Sequence, residues 1–160
     1  MPDDPAYEVL VALRRIIRAI DIQSKRMSKI CGLTTPQVVI LQAIRDLGEV
    51  TTKQISDHVT LSQATVTTIM DRLEQHDLVE RYRSVKDRRV VHTRLTTIGR
   101  QVLKKAPPLL HESFIDSFSC MGHSDQEKIV ETLRQVAEML GGGNLDAAPI
   151  LDIQPPDAVG

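Results

Sequence analysis

The feature that most constrains how this chain folds is a change in apolar spacing around residue 77. Before it, apolar residues recur at i, i+3, i+4 and i+7, which is the pattern of one buried helical face, and Ser62 stands at the expected N-cap. This stripe consists of Val66, Ile69, Met70 and Leu73. After it, Leu78, Val79 and Tyr82 precede "VVHTRL", whose β-branched residues predict two short strands. The sequence therefore predicts a helix followed directly by a β-hairpin.

Amphipathic helices account for the other predicted elements. A long helix covers residues 6–30, with Gly32 placed to end it, and two shorter helices precede the stripe. Helical spacing returns after Thr96 and continues through Pro107 and Pro108, which should kink it, and a last helix ends at "GGG". Aromatics make up only 2% of the chain, which favours aliphatic helix packing over an aromatic-rich sandwich. We therefore predict a mainly α fold with a small β-hairpin.

Positive charge is concentrated in one part of a nearly neutral chain. The formal net charge is −1, yet residues 81–105 hold nine Lys/Arg against a single acid, Asp87. Such asymmetry is typical of a protein with a polyanionic partner, and a solvated charged face is the alternative. The densest part is the turn between the predicted strands, "RSVKDRRVVHTRLT". There we expect Asp87 to hold a neighbouring arginine in a bidentate pair while nucleic acid neutralises the cluster.

The helix before the hairpin offers a polar face opposite its apolar stripe. Short hydroxyl and amide groups can bond base edges or phosphates in a DNA major groove, and a merely solvated helix is the alternative. Gln63 is the expected base-edge contact, and Thr65 and Thr68 are expected to reach thymine methyls or phosphates. A hairpin arginine can enter the minor groove. The candidate DNA-binding residues are Ser62, Gln63, Thr65, Thr67, Thr68, Arg72, Arg83, Lys86, Asp87, Arg88 and Arg89.

Two helices joined by a short turn and followed by a hairpin describe a winged helix-turn-helix. From Leu33 to Leu103 the sequence resembles the MarR family of bacterial transcription regulators. The most specific match is to the family's wing signature, carried here by Asp87, Arg89, Leu95, Thr96 and Gly99. The resemblance implies that Arg89 is the wing arginine, that Asp87 orients it, and that the wing reaches the minor groove beside the recognition helix.

The same resemblance implies a homodimer built from the first helix and the last two. The long N- and C-terminal helices, residues 1–33 and 97–140, then form the dimerisation region, and residues 34–96 form the winged helix-turn-helix DNA-binding domain. Residues 141–160 contain no Lys or Arg and are expected to be a flexible tail. The predicted function is a sequence-specific transcriptional regulator, a repressor that binds a pseudo-palindromic operator in double-stranded DNA.

A narrower resemblance concerns what the regulator controls. The segments "ALRRIIRAID", "LSQATVT.IMDRLE" and "APPLLHESF" are similar to the branch that represses ectoine and other compatible-solute genes. This resemblance implies osmotic-stress genes as the target. It also makes ionic strength a candidate inducing signal, because salt competes directly with phosphate contacts. A small-molecule effector is the alternative, and the sequence does not name one.

Several other classes of function find no support in the sequence. Five histidines and the cysteines Cys31 and Cys120 show no metal-ligand spacing, no cofactor motif is present, and no nucleophile–base set indicates an enzyme. No apolar run reaches the roughly 20 residues that cross a bilayer, so a cytoplasmic protein without a membrane partner is expected. Two alternatives stay open: a winged helix that docks an acidic protein partner, and a regulator controlled by cysteine oxidation.

Overall fold

The structure is a computed structural model that describes residues 4–59 and 61–143. These residues form seven helices and one antiparallel pair of strands. The helices are α1 (Pro5–Cys31), α2 (Thr35–Leu47), α3 (Thr52–Val59), α4 (Gln63–Gln75), α5 (Thr97–Lys105), α6 (Leu110–Ser119) and α7 (His123–Met139), and the strands are β1 (Val79–Arg83) and β2 (Val91–Leu95). The mainly helical winged helix-turn-helix that the sequence predicts is confirmed.

The first compact unit ends at Pro107 and contains α1 to α5 together with the hairpin. Its core is aliphatic, and the stripe predicted for α4 is buried in it. The two strands pair antiparallel with Val79 opposite Leu95, and Thr93 forms a further bridge to Val50, which precedes α3. The fully buried side chains include Met27, Ile40, Leu41, Ile44, Ile55, Val66, Met70 and Leu73. The hairpin is thus tied to the helices at its base, while its turn, residues 84–90, extends away from the core.

Local chemistry explains where the elements of this unit begin and end. Gly32 adopts φ 71° at the end of α1, a left-handed conformation that favours glycine. Thr34 donates its backbone N–H to the Gln37 side chain at 2.9 Å, which satisfies one free amide at the start of α2. The Ser62 hydroxyl accepts from the Thr65 backbone N–H at 3.1 Å, so the predicted N-cap of α4 is confirmed.

The junction of α4, β1 and α5 accounts for part of the wing signature. Asp77 ends the α4 segment with φ 57°, and Thr96 donates its hydroxyl to the Asp77 carbonyl at 2.5 Å. The Thr96 hydroxyl also accepts from the backbone N–H of Gly99 at 2.9 Å, which caps α5. At Gly99, a Cβ atom would lie 2.0 Å from the backbone oxygen of Leu78. The close approach of α5 to the backbone of Leu78, the residue before β1, therefore requires glycine at position 99.

The predicted kink at the two prolines is wrong, because the helix breaks there. Helix α5 ends at Lys105, and Ala106 has ψ 133°, the extended conformation preferred before a proline. Pro107 and Pro108 each lack an amide donor, so a continuous helix would lose two hydrogen bonds in the same turn. A separate helix, α6, begins at Leu110.

The second compact unit begins at Pro108 and contains α6 and α7. Phe114 and Phe118 stack on one another with ring centroids 5.2 Å apart, and the Gln126 amide of α7 donates to the Phe118 carbonyl at 2.8 Å. The tail expected over residues 141–160 lies outside the described residues from position 144 onward. None of the described helices is long and apolar enough to cross a membrane.

Candidate nucleic-acid interface

The first turn of α4 carries three polar side chains: two form the helix cap, and one is free for an outside contact. The hydroxyls of Ser62 and Thr65 lie 2.8 Å apart, and both belong to the cap rather than to the core. Gln63 is exposed, and within the described part of the chain its amide makes no hydrogen bond. An amide with its donors and its acceptor both available is the group that pairs with the edge of an adenine.

In the next turn of α4, hydrogen bonds to the helix backbone limit what Thr67 and Thr68 can bind. The Thr67 hydroxyl donates to the Gln63 carbonyl at 2.8 Å, and the Thr68 hydroxyl donates to the Ala64 carbonyl at 3.0 Å. Phosphate oxygens only accept hydrogen bonds, so hydroxyls that already donate to the helix backbone are poorly suited to bind them. Their methyl groups suit contact with thymine methyls better. Arg72, one turn further, is exposed on the same helix.

The turn of the wing is held by its own hydrogen bonds. The wing is the hairpin formed by β1, β2 and residues 84–90. The backbone N–H of Ser84 donates to the Val90 carbonyl at 2.9 Å, and the Ser84 hydroxyl accepts from the Lys86 N–H at 3.2 Å. The Asp87 carboxylate accepts from the Arg89 N–H at 3.0 Å. Side chains therefore satisfy backbone groups that would otherwise depend on water.

The basic side chains of the wing turn lie on its surface. Arg89 leaves 96% of its side chain exposed, and Lys86 and Arg88 are exposed as well. Arg83, at the end of β1, donates from Nη1 to the backbone carbonyl of Arg88 at 2.9 Å. Arg83 therefore contributes positive charge and also supports the turn that carries the other cations.

The bidentate pair expected between Asp87 and an arginine is not formed. The Nε atom of Arg89 lies 3.9 Å from a single carboxylate oxygen of Asp87, beyond hydrogen-bond distance. The stronger contact of Asp87 is the one to the Arg89 backbone N–H. The carboxylate therefore shapes the backbone of the turn, and the exposed guanidinium of Arg89 remains free to move. The short chain of aspartate places it within reach of the amide two residues ahead.

Arg94 lies on the opposite face of the wing and is already engaged. Its Nε donates to Glu80 at 2.6 Å, and its guanidinium carbon lies 4.9 Å from the centre of the Tyr82 ring. The hydrogen bond to the Glu80 carboxylate raises the pKa of Arg94 above its usual value. The local excess of positive charge counted from the sequence is thus partly compensated on this face.

Sequence reasoning missed a contact that joins α4 to the wing. Arg81, in β1, donates from Nη2 to the Asp71 carboxylate of α4, and its Nε lies 3.7 Å from the Glu74 carboxylate. We call Arg81, Asp71 and Glu74 the helix–wing clamp. The only signal in the sequence is a pair of acids three residues apart on a helix, followed by an arginine in the next strand. That spacing alone does not identify which of several arginines they meet.

The eleven predicted residues form two groups within the first compact unit. Six lie on or cap α4, and five lie in the wing from Arg83 to Arg89. Hydrogen bonds form within each group, such as Ser62 with Thr65 and Arg83 with the Arg88 backbone, and among the described residues none joins the two groups. The two groups are connected through the helix–wing clamp, which contains none of them.

The cysteines and the acidic residues offer little support for redox or metal chemistry. Cys31 is the last residue of α1, and its thiol lies 3.2 Å from the Met27 carbonyl. Burial raises the pKa of the Cys31 thiol, which lowers the fraction of reactive thiolate. Cys120 is exposed at the end of α6. Among residues 4–59 and 61–143, no group of three His, Cys, Asp or Glu side chains is placed to hold a metal ion.

Comparison with known proteins agrees with this arrangement. A model of the MarR family matches residues 33–91, which include α2 to α4 and the wing turn. The chain is 29% identical over 117 residues to the uncharacterized HTH-type transcriptional regulator YsmB of Bacillus subtilis, covering 73% of this chain and 80% of that protein. The chain is a winged helix-turn-helix transcriptional regulator.

Solved structures show the same fold over most of the chain. The transcriptional regulator BldR of Sulfolobus solfataricus is 26% identical with a TM-score of 0.55, covering 85% of this chain and 96% of that one. Reduced AbfR bound to DNA is 25% identical with a TM-score of 0.54, covering 84% of this chain and 93% of that one. The chain is thus similar to the MarR family over residues 33–91 and to HTH-type transcriptional regulators over most of its length.

Proposed function

We propose that this chain represses transcription as a homodimer in which each α4 enters a major groove and each wing enters the adjacent minor groove. The observation that carries the proposal is the exposed cationic wing turn, held by its own hydrogen bonds and joined through the clamp to a helix with a polar outer face. AbfR, a protein of the same fold, has been solved on DNA. The proposed DNA contacts are Ser62, Gln63, Thr65, Thr67, Thr68, Arg72, Arg83, Lys86, Arg88 and Arg89, with Asp87 shaping the turn.

The outer helices supply the proposed dimer interface. Ile16 and Ile17 on α1 leave 49% and 61% of their surface exposed, and Leu133 on α7 leaves 48%. Large apolar residues exposed in such numbers favour burial against a second copy. We assign residues 1–33 and 97–140 to dimerisation and residues 34–96 to DNA binding. A two-fold dimer places its recognition helices roughly 34 Å apart and reads a pseudo-palindrome.

Selection from a pool of random DNA duplexes tests this function. We expect a pseudo-palindrome to be enriched, and this selected operator to bind about 10³-fold more tightly than a scrambled duplex. The logarithm of its affinity should fall steeply and linearly with the logarithm of salt concentration, because the basic side chains displace counterions from phosphates. Equal affinity for the selected and scrambled duplexes would contradict the proposal. It would favour the alternative in which the wing docks an acidic protein.

Asp87→Ala should weaken binding to the selected operator by about 1 kcal/mol, although it removes a negative charge from a DNA-facing loop. The physical reason is the lost hydrogen bond to the Arg89 N–H, which holds the wing turn. Asp87→Asn is the matched control, because its amide oxygen still accepts that hydrogen bond while the charge is gone. Fluorescence anisotropy on a labelled duplex measures both variants. Tighter binding by the alanine variant would show that charge, and not turn geometry, dominates at this position.

The regulated genes and the inducing signal are a separate proposal. Three sequence segments similar to regulators of compatible-solute genes support it. If ionic strength induces, operator binding should decline with potassium glutamate in the absence of any small molecule. A binding constant that barely changes with potassium glutamate would remove osmotic stress as the direct signal.

A further inference from the structure

Arg81 lies in strand β1 of the wing, on the side of the hairpin that faces the core. Arg81 lies opposite Thr93 in the strand register, and Thr93 is 1% exposed, so both belong to the row of the hairpin that faces the core. The Arg81 side chain is itself 27% exposed and points to α4. An arginine that faces the core is partly removed from water, so its guanidinium needs hydrogen-bond acceptors within the protein.

Helix α4 supplies those acceptors from one of its faces. Asp71 and Glu74 are three residues apart, a spacing that puts two side chains beside each other on a helix. The planar guanidinium reaches both carboxylates with different nitrogen atoms, which a lysine cannot do. The Arg81 Nε is shielded from solvent and forms no hydrogen bond within the described residues. The positive charge of the Arg81 guanidinium is therefore compensated by the two carboxylates of α4.

The same strand carries a second contact toward the wing turn. Arg83 lies two residues after Arg81, on the same side of the hairpin, and donates to the backbone carbonyl of Arg88. Strand β1 is thus anchored to α4 at one position and to the turn at another. A rotation of α4 relative to the hairpin would break the clamp before it disturbed the wing turn.

We propose that Arg81 is a positioning residue that sets the wing relative to the recognition helix, so that both groups of DNA contacts engage the same operator at once. The inference rests on the proposed function and deepens it, because Arg81 is not one of the proposed DNA contacts. Without the clamp, binding through α4 no longer delivers the wing to the adjacent groove. The two sets of contacts then act nearly independently.

A purely electrostatic role makes the opposite prediction for one variant. Asp71 and Glu74 put negative charge on a helix proposed to approach phosphates, and in a purely electrostatic role Arg81 only cancels that charge. Removing a carboxylate should then strengthen DNA binding. If Arg81 positions the wing, removing the same carboxylate releases one arm of the clamp and weakens binding.

The test uses the full-length protein and the selected operator. We expect Asp71→Asn and Arg81→Lys each to weaken binding about tenfold, the first despite its gain in positive charge and the second with no change in charge. Glu80→Gln is the matched control, because Glu80 pairs with Arg94 on the other face of the same strand and does not reach α4. This control should bind as the parent does. Thermal unfolding followed by circular dichroism confirms that each variant is folded at the assay temperature.

A double-mutant cycle separates positioning from a general loss of stability. Arg89→Ala should cost several-fold less affinity in the Asp71→Asn protein than in the parent, because the wing is already misplaced. A residue needed only for stability would lower the melting temperature and leave the effect of Arg89→Ala unchanged, which would overturn the inference. Tighter binding by Asp71→Asn would overturn it also. Should Arg81→Lys fail to fold, Asp71→Asn carries the test. Failure of the parent to select any operator would instead refute the proposed function.

Discussion

Arg89→Ala is expected to weaken binding to the selected operator by roughly 1–3 kcal/mol. Arg89 leaves 96% of its side chain exposed, and its Nε lies 3.9 Å from the Asp87 carboxylate, beyond hydrogen-bond distance. A narrow minor groove concentrates negative potential, so an arginine that enters it is favoured over one in water. The slope of log affinity against log salt should also become shallower by about 0.9, the amount expected for one lost phosphate charge.

The control for this result is Arg100→Ala. Arg100 is an exposed arginine on α5, so its substitution makes the same change in net charge outside the wing and the recognition helix. We expect its effect on affinity to be small. Titrations at several salt concentrations with fluorescence anisotropy compare the two variants directly. Equal losses for both would mean that net charge, and not the location of Arg89, determines binding.

Gly99→Ala has the largest expected effect on stability. Its Cβ would lie 2.0 Å from the Leu78 carbonyl oxygen and 2.9 Å from the carbonyl carbon, and both atoms belong to the backbone. No side-chain rotation can relieve that overlap, so α5 has to move away from the Leu78 backbone. We expect the free energy of unfolding to fall by about 3 kcal/mol, the upper part of the range for overpacked sites. Urea denaturation monitored by circular dichroism measures the change.

Gly122→Ala is the comparison for Gly99→Ala. Gly122 caps α7 with φ −63°, and a Cβ there would meet no atom within 4 Å. Alanine is a weaker N-cap than glycine, so a loss below about 1 kcal/mol is expected. If Gly99→Ala were no more destabilising than Gly122→Ala, the close packing of α5 on the Leu78 backbone would not be what requires glycine in the wing signature.

Much of the fold follows from local rules, and the structure confirms those parts. The stripe from Val66 to Leu73, the cap at Ser62 and the left-handed Gly32 depend on residues within one or two turns. Such patterns can be recognised in a sequence because helix periodicity and capping involve residues that are close together along the chain. The exposure of the wing arginines follows in the same way, since charges of one sign on a short turn avoid the core.

The parts that sequence reasoning missed depend on distant residues or on competition between groups. Arg81 could be assigned to Asp71 and Glu74 only once β1 was placed beside α4. The hydroxyls of Thr67 and Thr68 can donate a hydrogen bond either to solvent or to a helix carbonyl. The sequence does not show that they donate to the helix. Pro107 and Pro108 separate two helices where a single kinked helix was expected. The roles of the eleven candidate residues in DNA binding stay predictions.

The hydrogen bonds inside the wing turn bear on the thermodynamics of association. Hydrogen bonds to the Ser84 and Asp87 side chains already hold the backbone of residues 84–90 in the free protein. DNA binding would therefore not have to order a flexible loop. The conformational entropy of this segment is lost during folding and not at the moment of encounter. In the proposed complex the wing would therefore meet DNA with its backbone preorganised, and most of its residual freedom would lie in the long side chains at its tip.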